Sequence, residues 1–231
     1  MSNILVLGSK PNSIVPNIFF EKVYTANGAA EIGKRYKRKF KKTNIICSVG
    51  LREFQKNFRV KRRIIKSNPQ KIHVRMGILN NNQDIKTIIE NKSSYEQFKF
   101  QFKFFYMGFL TLYFSELFWG KNFFLKIKHF IKRLIKKDWQ GISTGFYSIL
   151  LSLYENPNSK IIISGIGMQG GVQFYKSKRS KKYEYSSRAR VDRFMLSLLK
   201  NKYRKKLYST DKEFCKLAKI KFYNKKKLFK F

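Results

Sequence analysis

Residues 142–167 constrain the fold of this chain more than any other stretch of its sequence. They read ISTGFYSILLSLYENPNSKIIISGIG: a Ser-Thr-Gly turn, an apolar helix, an Asn-Pro-Asn-Ser turn and an apolar strand that ends in glycine. The first turn leaves backbone N–H groups unpaired at the positive end of a helix, which favours an anion. A glycine-rich strand end is where an open α/β sheet leaves room for a ligand. We therefore expect the turn and the strand end of this single αβ unit to form two walls of a nucleotide pocket.

Short apolar runs alternate with helical patterns along most of the chain. This alternation predicts an α/β fold, a single Rossmann-like domain over residues 1–231 with a mostly parallel sheet joined by crossover helices. We expect further strands at residues 3–8, 22–26, 44–49, 71–76, 205–208 and 219–223, and further helices at 29–42, 51–57, 188–200 and 211–218.

Residues 95–137 interrupt this rhythm with a high density of aromatic side chains and lysines on both flanks. We expect a helical insertion here. Its second half, 123–137, places apolar side chains at helical spacing with Lys and Arg between them. Two interpretations stay open: a helix packed on the core with a solvated basic face, or an amphipathic segment that faces lipid or an acceptor. The basic tail at 224–231 has the same dual character.

The charge and the cysteines indicate where such a protein works. With a formal charge of +38, an anionic partner is expected. No stretch reaches the ~18 apolar residues that a membrane span needs, and the N-terminal residues lack the pattern of a signal peptide. Cys47 and Cys215 stand alone, which favours a reduced, intracellular protein. We therefore expect a cytoplasmic protein that is held peripherally at the anionic inner face of a membrane.

The same charge is the footprint of a nucleic-acid-binding protein. The basic residues are spread over the whole length, however, mostly as Lys among Ile, Asn, Phe and Tyr, a bias that an AT-rich genome also produces. A nucleic-acid-binding protein predicts a contiguous basic face with exposed aromatic side chains and no closed pocket at the strand ends. The nucleic-acid-binding alternative stays open. A homo-oligomer is also consistent with the sequence.

Small polar residues follow the first predicted strands. Gly8, Ser9 and Asn12 belong to the turn after the first strand, Asn27 follows the second, and residues 47–50 close the third. Because the carboxyl ends of parallel strands meet at one edge of a sheet, we expect these residues to line one nucleotide site. Each of these segments taken alone is equally consistent with an ordinary turn.

Ser143, Thr144 and Gly145 are the strongest local signal. A Ser or Thr that caps a helix stabilises it by about 0.5–2 kcal/mol with no ligand involved. Capping is compatible with phosphate binding, because a ligand can lie beside the same amides. Together with Gly165, at the end of the following strand, these residues complete the predicted nucleotide site.

The histidines indicate no metal site. His73 and His129 lie far apart and lack the partners of a metal site or of a Ser/His/Asp arrangement. The sequence also has no D-x-D run to hold a metal–nucleotide complex. We therefore expect no metal, and no cofactor besides a donor nucleotide.

The order and character of these segments resemble the bacterial sialyltransferases that use a CMP-activated donor and, more distantly, the eukaryotic sialyltransferases. Residues 142–165 resemble the family's [ST]-[ST]-G-helix-strand-glycine block, which holds the cytidine monophosphate. The turn at 8–13 resembles the opening nucleotide loop, and 23–27 resembles the second strand, which ends in a nucleotide-contacting Asn. Tyr175 falls in the loop where the family places tyrosines that bind the leaving phosphate. Residues 188–208 resemble the segment after the catalytic histidine.

The resemblance implies a metal-independent glycosyltransferase that inverts the anomeric carbon by direct displacement. Its donor would be a CMP-linked, sialic-acid-like or other acidic sugar, and its acceptor a glycan or glycolipid in capsule or lipopolysaccharide biosynthesis. The resemblance places Tyr175, Arg188 and Arg190 where they would screen the charge of the leaving phosphate.

The family's catalytic histidine is absent, since residues 186–190 read Ser-Ser-Arg-Ala-Arg, and an arginine cannot act as a base at neutral pH. Three expectations therefore stand side by side. His73 reaches the pocket from its own strand, Asp192 acts as the general base, or the domain is catalytically inactive. Asp192 is also placed to stabilise the start of a helix without any catalytic role.

Overall fold

A parallel sheet of eight strands forms the centre of the computed structural model, which describes residues 3–11, 13–79, 87–108, 110–111, 114, 122–136, 141–168, 187–224 and 228–230. The strands are β1 (Asn3–Leu7), β2 (Ile14–Pro16), β3 (Lys22–Ala26), β4 (Asn44–Gly50), β5 (Lys71–Arg75), β6 (Ile88–Lys92), β7 (Lys160–Ser164), β8 (Leu207–Ser209), β9 (Lys221–Phe222) and β10 (Leu228–Lys230). The central sheet has the order β6-β5-β4-β3-β1-β7-β8-β9, and each neighbouring pair in it is parallel. β2 and β10 form a separate antiparallel pair.

Helices connect the strands and cover both faces of the sheet. They are α1 (Ala30–Lys39), α2 (Leu51–Lys56), α3 (Phe58–Ser67), α4 (Ser94–Phe102), α5 (Phe123–Lys136), α6 (Thr144–Glu155), α7 (Ser187–Ser197), α8 (Asn201–Arg204) and α9 (Lys212–Ala218), and a 3-10 turn at Asn27–Ala29 precedes α1. Among these helices, none is long and apolar enough to cross a bilayer.

Alternation along β1 divides the core into two layers. Ile4 and Val6 pack with α4, α6 and α7, whereas Leu5 and Leu7 pack with α1 on the opposite face. Successive side chains of a strand point to opposite faces, so a strand with helices on both sides is apolar at every position. This arrangement confirms the predicted α/β, Rossmann-like fold with a parallel sheet.

Several elements escaped the sequence analysis. β2, β6, β10 and α8 were not expected, and the chain from 51 forms two helices, α2 and α3, where one was predicted. Within the basic tail, residues 228–230 are paired, because β10 pairs with β2 from Leu228↔Pro16 to Lys230↔Ile14. The unpaired backbone groups of so short a strand as β2 need a partner, and the tail supplies one.

The described residues of the insertion at 95–137 fall into a first part that contributes to the core on one side only, with Tyr95, Phe102 and Tyr106 exposed, and a second part, α5. Phe98, Phe100, Phe104 and Phe105 are buried in the core around α6, so this side of the first part is core packing. In α5, by contrast, the apolar side chains are exposed to solvent: Phe123, Phe124, Leu125, Ile127, Ile131 and Ile135. The amphipathic interpretation therefore agrees with the second part, and the core interpretation with the first.

Candidate functional site

A cleft of about 780 Å³ lies at the carboxyl edge of the sheet, where β4 and β5 end and α6 begins. Its lining includes Asn27, which follows β3, Arg75, which ends β5, and Thr144, the first residue of α6. In open α/β sheets this edge is where ligands bind. Two residues predicted from separate segments, Asn27 and Thr144, are therefore brought together by the fold.

The start of α6, where Thr144 lines the cleft, leaves backbone donors without a partner in the described part of the chain. The Ser143 hydroxyl accepts a hydrogen bond from the Phe146 N–H at 3.1 Å, so Ser143 is the predicted N-cap. The N–H groups of Thr144 and Gly145 have no acceptor among the described residues. Since the helix dipole adds positive potential at the same place, the end of α6 suits an anion.

Arg75 contributes a buried positive charge, and sequence reasoning missed it. Its Nε donates to Gln97 Oε1 at 3.0 Å and its Nη2 donates to the Ile142 carbonyl at 2.8 Å. Its guanidinium lies 4.6 Å from the centre of the Tyr147 ring. Arg75 is 2% exposed, so these contacts hold the guanidinium in one position at the floor of the cleft.

Asn27 lines the other side of the cleft in a left-handed backbone conformation, with φ of 50°. Asparagine adopts this conformation more readily than most residues, which explains its place at the start of the 3-10 turn. Its Oδ1 is buried and has no donor among the described residues. A ligand hydroxyl or amino group would satisfy it.

The cleft is strongly basic. Arg52, Lys56 and Arg59 line it together with Arg75, and the carboxylate opposing them among the described lining residues is Glu53. Glu53 Oε1 accepts a hydrogen bond from Asn57 Nδ2 at 2.7 Å, within the turn that joins α2 to α3. The arrangement can therefore screen phosphate charge and offers one carboxylate for proton transfer.

Gly8 and Gly165 lie at the same edge, between β1 and β7, but Gly8 does not line the cleft. A Cβ on Gly8 would lie 2.1 Å from the Gly165 carbonyl oxygen, so the two backbones touch. The Lys10 N–H donates to the same carbonyl at 2.8 Å. The first turn thus closes over β7 at the point where the strand order changes direction, where such folds usually leave a crevice.

Gly165 instead lines a smaller cavity of about 320 Å³, with Ser13, Thr210 and an ion pair between Lys10 and Asp211. Ser9 is half-buried and lines neither cavity as described. Asn12 and Tyr175 lie outside the described residues, and so does the side chain of Arg188. Arg190 is half-buried, and its Nε has no acceptor among the described residues.

The structure does not bring His73 to the cleft. The ring is 1% exposed, and its Nδ1 and Nε2 lie 3.1 Å from Glu90 and 3.3 Å from Glu155. Because Glu155 ends α6, this cluster of His73, Glu90 and Glu155 lies towards the opposite edge of the sheet from Thr144. Tyr24 donates to Glu155 at 2.5 Å, and Lys71 donates to Glu90 at 2.6 Å.

This cluster also bears on the expectation of no metal. One ligand atom each from His73, Glu90 and Glu155 lies within 4.8 Å of the others, a donor set that metals accept. The two carboxylates face different ring nitrogens, and their remaining oxygens hold Lys71 and Tyr24. The contacts therefore describe an imidazole held between two carboxylates, a grouping that sequence spacing did not reveal.

Asp192 is also withdrawn from solvent. It is 2% exposed, and its Oδ1 accepts a hydrogen bond from the Ser143 N–H at 2.8 Å. The carboxylate therefore anchors the start of α6 from within α7, which differs from the expected place of Asp192 at the start of its own helix.

The chain was also compared with known proteins. No family model, no curated protein and no solved structure matches it.

Proposed function

We propose that the cleft binds the phosphate end of a nucleotide. The observation that carries this proposal is the convergence of Arg75 with the free N–H groups at the start of α6. A rigid, buried guanidinium and two backbone donors supply charge and direction without any reorganisation on binding. Asn27, on the other side of the cleft, is positioned to accept a hydrogen bond from a ribose hydroxyl or a base amino group.

The proposed activity is transfer of a sugar from a CMP-activated, sialic-acid-like or other acidic donor to a glycan or glycolipid in capsule or lipopolysaccharide biosynthesis. The resemblance of residues 142–165 to the sialyltransferases supports the choice of donor, and the basic cleft supports a negatively charged leaving group. Arg52 and Arg75 would stabilise the phosphate as it departs, because opposite charge at the leaving group is what the transition state needs.

Glu53 takes the role of general base in this proposal. It is the carboxylate among the described residues of the cleft, whereas His73 and Asp192 are buried elsewhere. A base must lie within about 3 Å of the acceptor hydroxyl, or one water away, to accept its proton as the oxygen attacks the anomeric carbon. The Asn57 amide that donates to Glu53 keeps the carboxylate at the cleft.

A catalytically inactive domain is the competing proposal, and it predicts no hydrolysis of a CMP-sugar by the unchanged protein. If the unchanged protein hydrolyses the donor, loss of that activity in Glu53→Gln supports Glu53 as the base, and full activity of the variant excludes it. Binding is tested first, by the thermal stability of the protein with CMP, UDP, GDP or NAD. A ligand at 100 times its dissociation constant stabilises the folded state by about 2.7 kcal/mol. Stabilisation by CMP alone supports the donor class, and no stabilisation by any of the four rejects the nucleotide site.

Peripheral attachment to an anionic membrane is the second part of the proposal. The exposed apolar side chains of α5 alternate with Lys126, Lys128 and Lys132, and Phe124 is 78% exposed. Such a helix lies in the bilayer interface with its lysines towards the headgroups. We assign this role to α5 and not to the tail, because part of the tail is engaged as β10.

A further inference from the structure

A second concavity of about 630 Å³ opens between α1 and α3, beside the cleft. We call it the α1–α3 groove. It shares Phe58 and Arg59 with the cleft, so the two cavities adjoin at the start of α3. The basic side chains along the rest of the groove are Lys34, Arg35, Arg38, Arg62, Arg63 and Lys66.

The groove carries a large excess of positive charge. Glu31 is its carboxylate among the described residues, and it pairs with Arg35 at 3.2 Å and with Arg63 at 2.7 Å. Arg38 and Arg62 form no ion pair with a described carboxylate. Cations that line one concavity without counter-charges repel each other, and a polyanion in the groove would relieve that repulsion.

Arginine is concentrated at this place in a way that the composition does not explain. Only thirteen of the 51 basic residues of the chain are arginines, yet five of the thirteen line the groove. A general bias towards lysine would spread lysine over the surface and leave arginine scattered. Arginine is the cation that binds phosphate in a planar, two-pronged geometry, so its local enrichment indicates a ligand with several phosphates.

Phe58 adds an aromatic surface where the groove meets the cleft. Its side chain is 73% exposed, although phenylalanine is normally buried. An exposed ring beside a track of cations is the combination that holds single-stranded nucleic acid, since bases stack on the ring and phosphates lie on the cations. A flat anionic bilayer fits a concave groove between two helices less well than a narrow chain does.

We propose that the α1–α3 groove binds a single-stranded nucleic acid, with backbone phosphates on its arginines and a base stacked on Phe58. This inference rests on the groove and does not depend on the donor proposed for the cleft. If it fails, the nucleotide proposal for the cleft is unaffected, because that proposal is tested by mononucleotides and by Arg75.

The test is the fluorescence anisotropy of a labelled 12-nucleotide oligo(dT) over a range of salt concentrations. The groove variant is Arg38→Glu/Arg62→Glu. Its matched control, Lys205→Glu/Lys216→Glu, makes the same charge change on exposed side chains at the β8–β9 side of the sheet. A third variant, Phe58→Ala, removes the ring without changing the charge. Thermal unfolding confirms that each variant is folded.

The groove variant should bind at least tenfold more weakly. The plot of the logarithm of its association constant against the logarithm of salt concentration has a negative slope, which should become shallower by about 0.7 for each phosphate that the variant no longer binds. Phe58→Ala should weaken binding about five- to a hundredfold and leave the slope unchanged. The control should keep both affinity and slope. Equal losses of affinity in the groove and control variants would show general charge attraction and overturn the proposal.

Vesicles that contain phosphatidylserine provide the second arm of the test. If the groove variant loses vesicle binding but keeps oligonucleotide binding, the groove contacts a membrane and the proposal is wrong. If vesicle binding is unchanged while oligonucleotide binding falls, the assignment to nucleic acid stands.

Discussion

The carboxylate of Asp192 and the backbone N–H of Ser143 are joined by a 2.8 Å hydrogen bond that links α7 to the first turn of α6. The residues are 49 positions apart in sequence, and Asp192 is buried. The position of the free Thr144 and Gly145 amides therefore depends on a side chain in another helix. A residue that acts in this way positions the site without touching a ligand.

Replacement of Asp192 should reduce stability. Asp192→Ala leaves the Ser143 N–H without its acceptor and should cost about 1–3 kcal/mol, whereas Asp192→Asn, which keeps an acceptor oxygen, should cost less. Urea denaturation measures both values. Unchanged stability in both variants, with loss of CMP-sugar hydrolysis, would instead make Asp192 a catalytic base.

Substitutions of Arg75 and Arg52 should have different effects on nucleotide affinity and on the stability of the fold. Arg52 is exposed, so Arg52→Ala should weaken nucleotide binding about tenfold or more without changing the stability of the free protein. Arg75→Met should weaken binding and also destabilise the fold, because Gln97 and the Ile142 carbonyl lose their buried donor. Isothermal titration with CMP and urea denaturation give the two quantities. If both variants bind CMP with normal affinity, the cleft is not the nucleotide site.

A methyl group at Gly8 should be poorly tolerated. Its Cβ would overlap the carbonyl of Gly165, which itself has a φ of 70°, so the two strand ends would have to separate. We expect Gly8→Ala to cost about 1–3 kcal/mol. Gly50→Ala is the matched control, because a Cβ there meets no atom within 4 Å. Equal stabilities of the two variants by urea denaturation would contradict the close approach of the two backbones.

Glu155 should make folding sensitive to acid. Burial raises the pKa of Glu155, but hydrogen bonds from His73 and Tyr24 outweigh that effect and lower the pKa overall. A carboxyl whose pKa is lower in the folded state stabilises the protein at neutral pH, and this contribution is lost as pH falls through the folded-state pKa.

The Glu155→Gln variant tests this sign. Its urea midpoint should lie below that of the unchanged protein at neutral pH, and the gap should narrow as the pH falls through the acidic range where carboxylates titrate. Glu21→Gln, at an exposed position, should follow the unchanged protein throughout. A gap that widens on acidification would refute the assigned direction.

The apolar residues of α5 should be needed at membranes and dispensable for folding. Phe124→Glu should weaken sedimentation with phosphatidylserine vesicles and leave the thermal midpoint unchanged, because the side chain is 78% exposed. Lys128→Gln should weaken the same binding about fivefold, since each basic residue near an anionic surface contributes about 1 kcal/mol. Ile78→Glu is the control, at a position that is 68% exposed outside α5. If Ile78→Glu reduces sedimentation as much as Phe124→Glu, α5 has no special role.

Local pattern was enough to predict the elements of the site and two of its lining residues, Asn27 and Thr144, but not Arg75. Ser143 was recognisable as an N-cap because capping depends on neighbours three residues away. Arg75 ends a strand that was predicted, yet its place in the cleft depends on Gln97 and Ile142, which come from distant segments. His73 illustrates the same limit: it lies two residues before Arg75, and the carboxylate that ends α6 holds it away from the cleft.

The pairing of β2 with β10 restricts the order in which the chain can fold during its synthesis. On the ribosome, residues 14–16 emerge early, but their partner at 228–230 is translated more than two hundred residues later. β1 likewise waits for β7, although it lies in the middle of the sheet. Because long-range pairing is slow and leaves strand edges open, the nascent chain must keep its first strands from aggregating until their partners are made. Residues synthesised early thus reach their final neighbours late.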